Sequence, residues 1–195
     1  MNLSHKMNTT MAWFNNSILF FKNHFAIIIF FALIAAFGRT IQLGAFGPID
    51  SSLNIILEVV VESARVLIFL YTLGLTNFKT GALRVMQFFT RKANRKQNWN
   101  TAIQTLKARW KTVLLNIMAF MLVAFLINYL IDLTAYQTCL YYKLKTEKII
   151  SAASSEWVLL LFFKNISVIR FTLIFNAIFL LWITNKLKIS AVNNS

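Results

Sequence analysis

The chain has six acidic residues against twenty Lys and Arg, one cysteine, one proline and two histidines. Each shortage closes off a class of protein. A lone Cys139 cannot form an intramolecular disulfide. Its place beyond an apolar stretch predicts a small buried or interfacial side chain, with an outward thiol linking two copies as the alternative. Pro48 lies between two apolar stretches, in a turn with Gly44 and Gly47, so proline kinks no long helix. His5 and His24 both sit in the N-terminal segment, which leaves no buried Ser/His pair and no histidine-based metal site inside an apolar stretch. HExxH, GxSxG, CxxC and P-loop signatures are missing. Internal repeats and low-complexity tracts are missing too. No secretory signal is expected, because the first apolar run begins after residue 24 and lacks a clear cleavage pattern.

What remains is oil. Apolar residues make up 58% of the 195, too many for a soluble domain of this length. The composition predicts an all-α, multi-pass membrane protein, a single membrane domain over residues 1–195 in the cell (cytoplasmic) membrane. Four windows fit spanning helices of roughly 20 residues each, and together they form a four-helix bundle: 25–43, 54–75, 113–133 and 157–183. The last is long enough to tilt or to leave the hydrocarbon. Trp13, Trp99, Trp110, Trp157 and Trp182, with Tyr71, Tyr129 and Tyr136, lie near the window ends, as aromatic belts do at headgroup level.

The net charge of +14 reads first as topology. Nine cations fall between the second and third windows with no acid among them: Lys79, Arg84, Arg91, Lys92, Arg95, Lys96, Lys107, Arg109 and Lys111. Cytoplasmic loops carry such an excess. With four crossings both ends then lie inside (N-in, C-in), and Lys6, Lys22, Lys186 and Lys188 raise the inner count to thirteen, against Arg39, Lys143, Lys145 and Lys148 outside. A cytoplasmic N-terminal segment over 1–24 carries an interfacial helix near 13–21, followed by a polar turn at Lys22, Asn23 and His24. The alternative is a longer tilted first span whose Lys22 snorkels. Ala32 and Ala36 in the first span form a small-xxx-small pair suited to close helix contact. Asp50 to Ser52 supply cap types for the second, and the run SSEW a cap for the fourth. A cytoplasmic tail occupies 184–195.

The basic loop over 76–112 is long enough to hold amphipathic cytoplasmic helices. Trp99, Ile103, Leu106 and Trp110 share one face at helical spacing, with Lys96, Lys107 and Lys111 at its flank and Arg109 further round. Together with Arg91, Lys92 and Arg95, these residues suit an anionic membrane surface or an acidic cytoplasmic protein. Nucleic acid is the sharper reading of the same charges, but insertion topology already requires a basic loop here.

The spans themselves carry charge. Asn54, Glu58, Glu62, Arg65 and Thr72 recur at helical spacing in the second, a polar stripe on an otherwise apolar cylinder. Asn128 and Asp132 stand one turn apart near the outer end of the third, while the fourth holds Lys164, Asn165, Arg170, Thr172 and Asn176. An ionised group at the bilayer centre costs on the order of 3 kcal/mol on insertion scales, so these demand partners. Rise along the helix puts Glu58, Glu62 and Arg65 about 8, 13 and 18 Å deep, and Lys164 and Arg170 about 10 and 20 Å. Depth alone therefore pairs Lys164 with Glu58 or Glu62, and Glu62 with Arg65 within one helix. The expected role is a non-enzymatic membrane subunit (scaffold, anchor or sensor) packed through this intramembrane network, without cofactor or metal. A homo-oligomeric channel or pore lined by Glu58, Glu62 and Arg65, with Arg65 or Arg170 as gate or anion site, is the rival. An intramembrane enzyme using the glutamates comes third. Glutamate-based membrane proteases pair such carboxylates with membrane histidines, which this chain lacks.

Overall fold

The computed structural model describes residues 11–90 and 92–187, and for 88–90 and 92–94 the backbone alone. Its described residues form helices and no strands. In chain order these are α1 (Ala12–Asn23), α2 (Phe25–Gln42), α3 (Ser51–Leu73), α4 (Phe78–Thr90), α5 (Lys92–Ala108), α6 (Trp110–Gln137), α7 (Leu140–Thr146), α8 (Trp157–Ile166) and α9 (Val168–Ile183). Three stretches are long and apolar enough to cross a membrane: Phe25–Gln42, Trp110–Gln137 and Trp157–Ile183, with mean hydropathy 2.0, 2.3 and 2.1. The helix α3 is as long as a span but carries three charges.

The chain divides into two compact units. One gathers 1–20, 69–119 and 174–195; the other gathers 21–68 and 120–173.

In the first unit the N-terminal helix is anchored by Trp13, fully buried. Its ring lies 4.5 Å from that of Phe175, 4.8 Å from Phe179 and 5.9 Å from Trp182, centroid to centroid, within the range of favourable aromatic pairs. The Phe14 amide donates to Asn116 Oδ1 at 3.1 Å, so a side-chain amide of α6 satisfies one of the free N–H groups of α1. Trp13, Tyr71 and Trp182 are thus core residues, whereas Trp99, Trp110, Trp157, Tyr129 and Tyr136 are exposed. The helix α4 presses on the end of α3 through Gly81, where a Cβ would stand 2.0 Å from the Leu70 carbonyl oxygen. Only glycine permits that approach. Arg84 Nη1 donates to the Leu73 carbonyl, satisfying a C-terminal acceptor of α3.

The second unit is built on α2. Its small face buries Ala32, Ala35 and Ala36, and α8 packs along α2. Gly38 lets α3 approach as well: a Cβ there would meet Val61 Cγ2 at 2.7 Å. The link from α2 to α3 turns through Gly44 and Gly47, both at positive φ (72° and 116°), where glycine pays no steric cost. Asp50 Oδ1 then accepts the Leu53 N–H at 3.3 Å, the cap its side chain promises. Glu156 stands at the N-cap of α8 without a side-chain bond, so the second expected cap fails.

Other boundaries shift. The helix over the third window runs from Trp110 to Gln137, well past that window. Trp110 opens that helix instead of closing the face of α5, because the chain turns at Arg109. The last window divides at Ser167 (φ −109°, ψ −86°), and there the Asn165 carbonyl accepts a side-chain N–H from Arg170. A side chain inserted into the backbone ladder is a recognised cause of such breaks. Cys139 is exposed at φ 53°, at the start of α7, not buried.

Candidate functional site

Glu58, Glu62 and Arg65 of α3 and Asn165 and Arg170 of the last window converge within the second unit, but not as depth alone predicts. The counter-charge for both carboxylates is Arg39, from the last turn of α2. Arg39 Nη1 donates to Glu58 Oε2 at 2.7 Å and Nη2 to Glu58 Oε1 at 3.1 Å, a two-pronged guanidinium–carboxylate pair. The same Nη2 reaches Glu62 Oε1 at 3.3 Å. Gln42, one turn on, donates from Nε2 to Glu58 Oε2, Asn54 Oδ1 and the Asn54 carbonyl, each at 3.0 Å. Glu62 is also held by Arg65 of its own helix, at i, i+3.

Arg65 continues the chain of contacts. Its Nη2 donates to Asn165 Oδ1 at 2.9 Å. Hydrogen bonds to charged groups contribute about 1.5–3 kcal/mol, and this one ties α3 to α8. Asn165 in turn donates from Nδ2 to the Leu161 carbonyl at 2.8 Å, while its own carbonyl accepts Arg170 Nε at 3.0 Å. Arg170 is fully buried, and its Nη1 and Nη2 have no hydrogen-bond partner among the described residues. Three guanidinium groups therefore meet two carboxylates, and the surplus positive charge sits deepest. The carboxylate side chains remain 48% accessible, against 22% for Arg39 and 19% for Arg65.

Lys164 takes no part in this network and makes no ion pair among the described residues. The reason is rotational. Neighbouring residues on a helix project about 100° apart, so α8 cannot aim both Lys164 and Asn165 at α3. Asn165 is the buried one. Asn128 donates to the Ala124 carbonyl of its own helix at 2.9 Å. Asp132 and Asn176 are exposed. Arg39 and Gln42, absent from the predicted set, are the residues that complete the cluster. A signal for them existed: across a short link, residues roughly equally far from the turn face each other, which places Arg39 and Gln42 opposite the start of α3.

The basic segment forms the second candidate surface. Arg95, Lys96, Lys107, Arg109 and Lys111 are exposed, as are Trp99 at 62% and Trp110 at 55%. Lys111 Nζ lies 5.7 Å from the centroid of the Trp110 ring, a cation–π distance. Arg91 lies outside the described residues, as does the Lys92 side chain. Among the described residues no group of three His, Cys, Asp or Glu could hold a metal ion. No family model, curated protein or solved structure matches the chain.

Proposed function

We propose that the chain is a non-enzymatic integral membrane subunit (scaffold, anchor or sensor) that crosses the bilayer four times with both ends in the cytoplasm. It presents its basic segment to anionic lipid or to an acidic protein. One observation carries the reading. The ranges gathered in the first unit contain twelve of the twenty Lys and Arg and none of the six Asp and Glu. These are the segments an N-in, C-in chain leaves in or near the cytoplasm, and cytoplasmic segments are enriched in cations.

The fourth crossing is α3. Its 23 residues give about 34 Å at 1.5 Å per residue, against a hydrocarbon core of about 30 Å. Ile55, Ile56, Val59 and Val66, each more than half exposed, offer acyl chains an apolar flank, while Arg39 pairs with Glu58 and Glu62 and Gln42 hydrogen-bonds Glu58 and Asn54. Each carboxylate engaged by a guanidinium supports a packing role over a conducting or catalytic one.

The test uses the full chain in nanodiscs. Amide hydrogen exchange over Lys92–Ala108 should be at least roughly tenfold slower in phosphatidylglycerol than in phosphatidylcholine discs, since each Lys or Arg near an anionic surface contributes about 1 kcal/mol. Arg95→Gln, Lys96→Gln, Lys107→Gln and Arg109→Gln together should abolish the difference. Equal exchange in both lipids for the unaltered chain would contradict lipid recognition by this segment.

A further inference from the structure

Where α3 ends and α9 ends, the first unit contains a cavity of about 300 Å³. Its walls are apolar, formed by Phe69, Leu73, Val85, Leu180 and Leu181, and its polar groups are Arg84, Asn98, Thr184 and Lys186. The volume is at the lower end of ligand pockets, which run from about 300 to 1,000 Å³, and suits part of one acyl chain. The polar groups comprise two cations and two uncharged side chains. No Asp or Glu lies anywhere in the sequence ranges of this unit to neutralise them.

An apolar slot edged by Arg and Lys complements one chemistry, an amphiphile with a hydrocarbon chain and an anionic head. Basic pockets between spanning helices on the cytoplasmic side bind anionic lipid headgroups for this reason. The Arg84 guanidinium is held by its bond to the Leu73 carbonyl, which fixes one of the two cations before any ligand arrives. Thr184 Oγ1 donates to the Leu180 carbonyl at 2.6 Å, and the chain turns there to bring Lys186 round. We infer that this cavity is a specific site for a single anionic phospholipid, its acyl chain between Leu73 and Leu181 and its phosphate between Arg84 and Lys186. None of Arg95, Lys96, Lys107 and Arg109, the cations altered to test surface recognition by the basic segment, lines the cavity, so the two proposals fail independently.

Native mass spectrometry of the full chain, released from uncharged detergent after incubation with phosphatidylglycerol, phosphatidylcholine or inorganic phosphate, tests it. One phosphatidylglycerol per chain is expected, in clear excess over phosphatidylcholine, with no phosphate adduct and no competition by phosphate. Lys186→Gln should weaken retention roughly fivefold, the factor set by about 1 kcal/mol per cation near an anionic head. Leu180 is 43% exposed, so Leu180→Trp fills the slot from its open side. It should abolish the adduct while thermal unfolding of the lipid-free protein stays unchanged. Equal retention of the two lipids, binding of phosphate alone, or an adduct that survives Leu180→Trp would overturn the assignment. Should Leu180→Trp unfold, Lys186→Gln decides: unaltered preference for the anionic lipid in that variant also overturns it.

Discussion

Replacing Arg39 by leucine is expected to remove most of the folded, monodisperse protein recovered from membranes, although Arg39 belongs to no motif and lies at the end of an apolar helix. Both carboxylates of α3 depend on it: Glu58 through two bonds of 2.7 and 3.1 Å, Glu62 through one of 3.3 Å. In Arg39→Leu, Glu58 keeps the Gln42 amide but loses its only ion pair among the described residues, while Glu62 keeps Arg65. The fall in yield should be at least roughly tenfold, because charges left unpaired within a span are disfavoured on insertion by well over that factor. The rescue separates charge from packing. Adding Glu58→Gln to Arg39→Leu should restore most of the yield, since the carboxylate whose ion pair is lost is then uncharged while Glu62 keeps Arg65. If the double variant is as poor as the single one, Arg39 acts through its packing and not through Glu58.

Trp13→Ala has the second largest expected effect. A headgroup tryptophan and a core tryptophan make opposite predictions at this position. The side chain is fully buried against Phe175, Phe179 and Trp182, so truncation opens a cavity and should cost about 3–5 kcal/mol. For a chain of this size that corresponds to a fall of roughly 10 °C in the unfolding midpoint in detergent. Trp110→Ala provides the control. Trp110 is 55% exposed and should leave the midpoint within about 2 °C, as surface substitutions do. Equal small shifts in both variants would return Trp13 to the interface.

Much of the architecture can be read from apolar run length and the placement of cations, because both report the demands of a bilayer and not of particular contacts. Three of the four windows coincide with helical stretches long and apolar enough to cross. Of the expected polar turn at 22–24 only His24 lies between α1 and α2, Lys22 and Asn23 being helical, and the glycine link separates α2 from α3. Hydropathy carries depth but not rotation, and the failures follow from that. Lys164 matches Glu62 in depth yet projects away from it, whereas Asn165, one residue on, makes the contact. Arg39 counts as an outer cation by position, but its guanidinium reaches back to Glu58 and Glu62. Trp13 near a span end looks the same whether lipid or protein covers it. The break at Ser167 has no Gly or Pro to announce it; it coincides with the bond from the Arg170 side chain to the Asn165 carbonyl, which hydropathy does not report.

Whether α3 crosses the membrane despite Glu58, Glu62 and Arg65 is the central question, and its two ends answer it. In a Cys139→Ser background, single cysteines replace Ser52 and Thr76, both exposed and flanking the charged stretch. A membrane-impermeant maleimide added to intact cells should label Ser52→Cys, and should label Thr76→Cys only after the membrane is opened. Labelling of both from the same side would contradict a crossing by α3, and with it the four-span arrangement in which Arg39 neutralises carboxylates inside the bilayer.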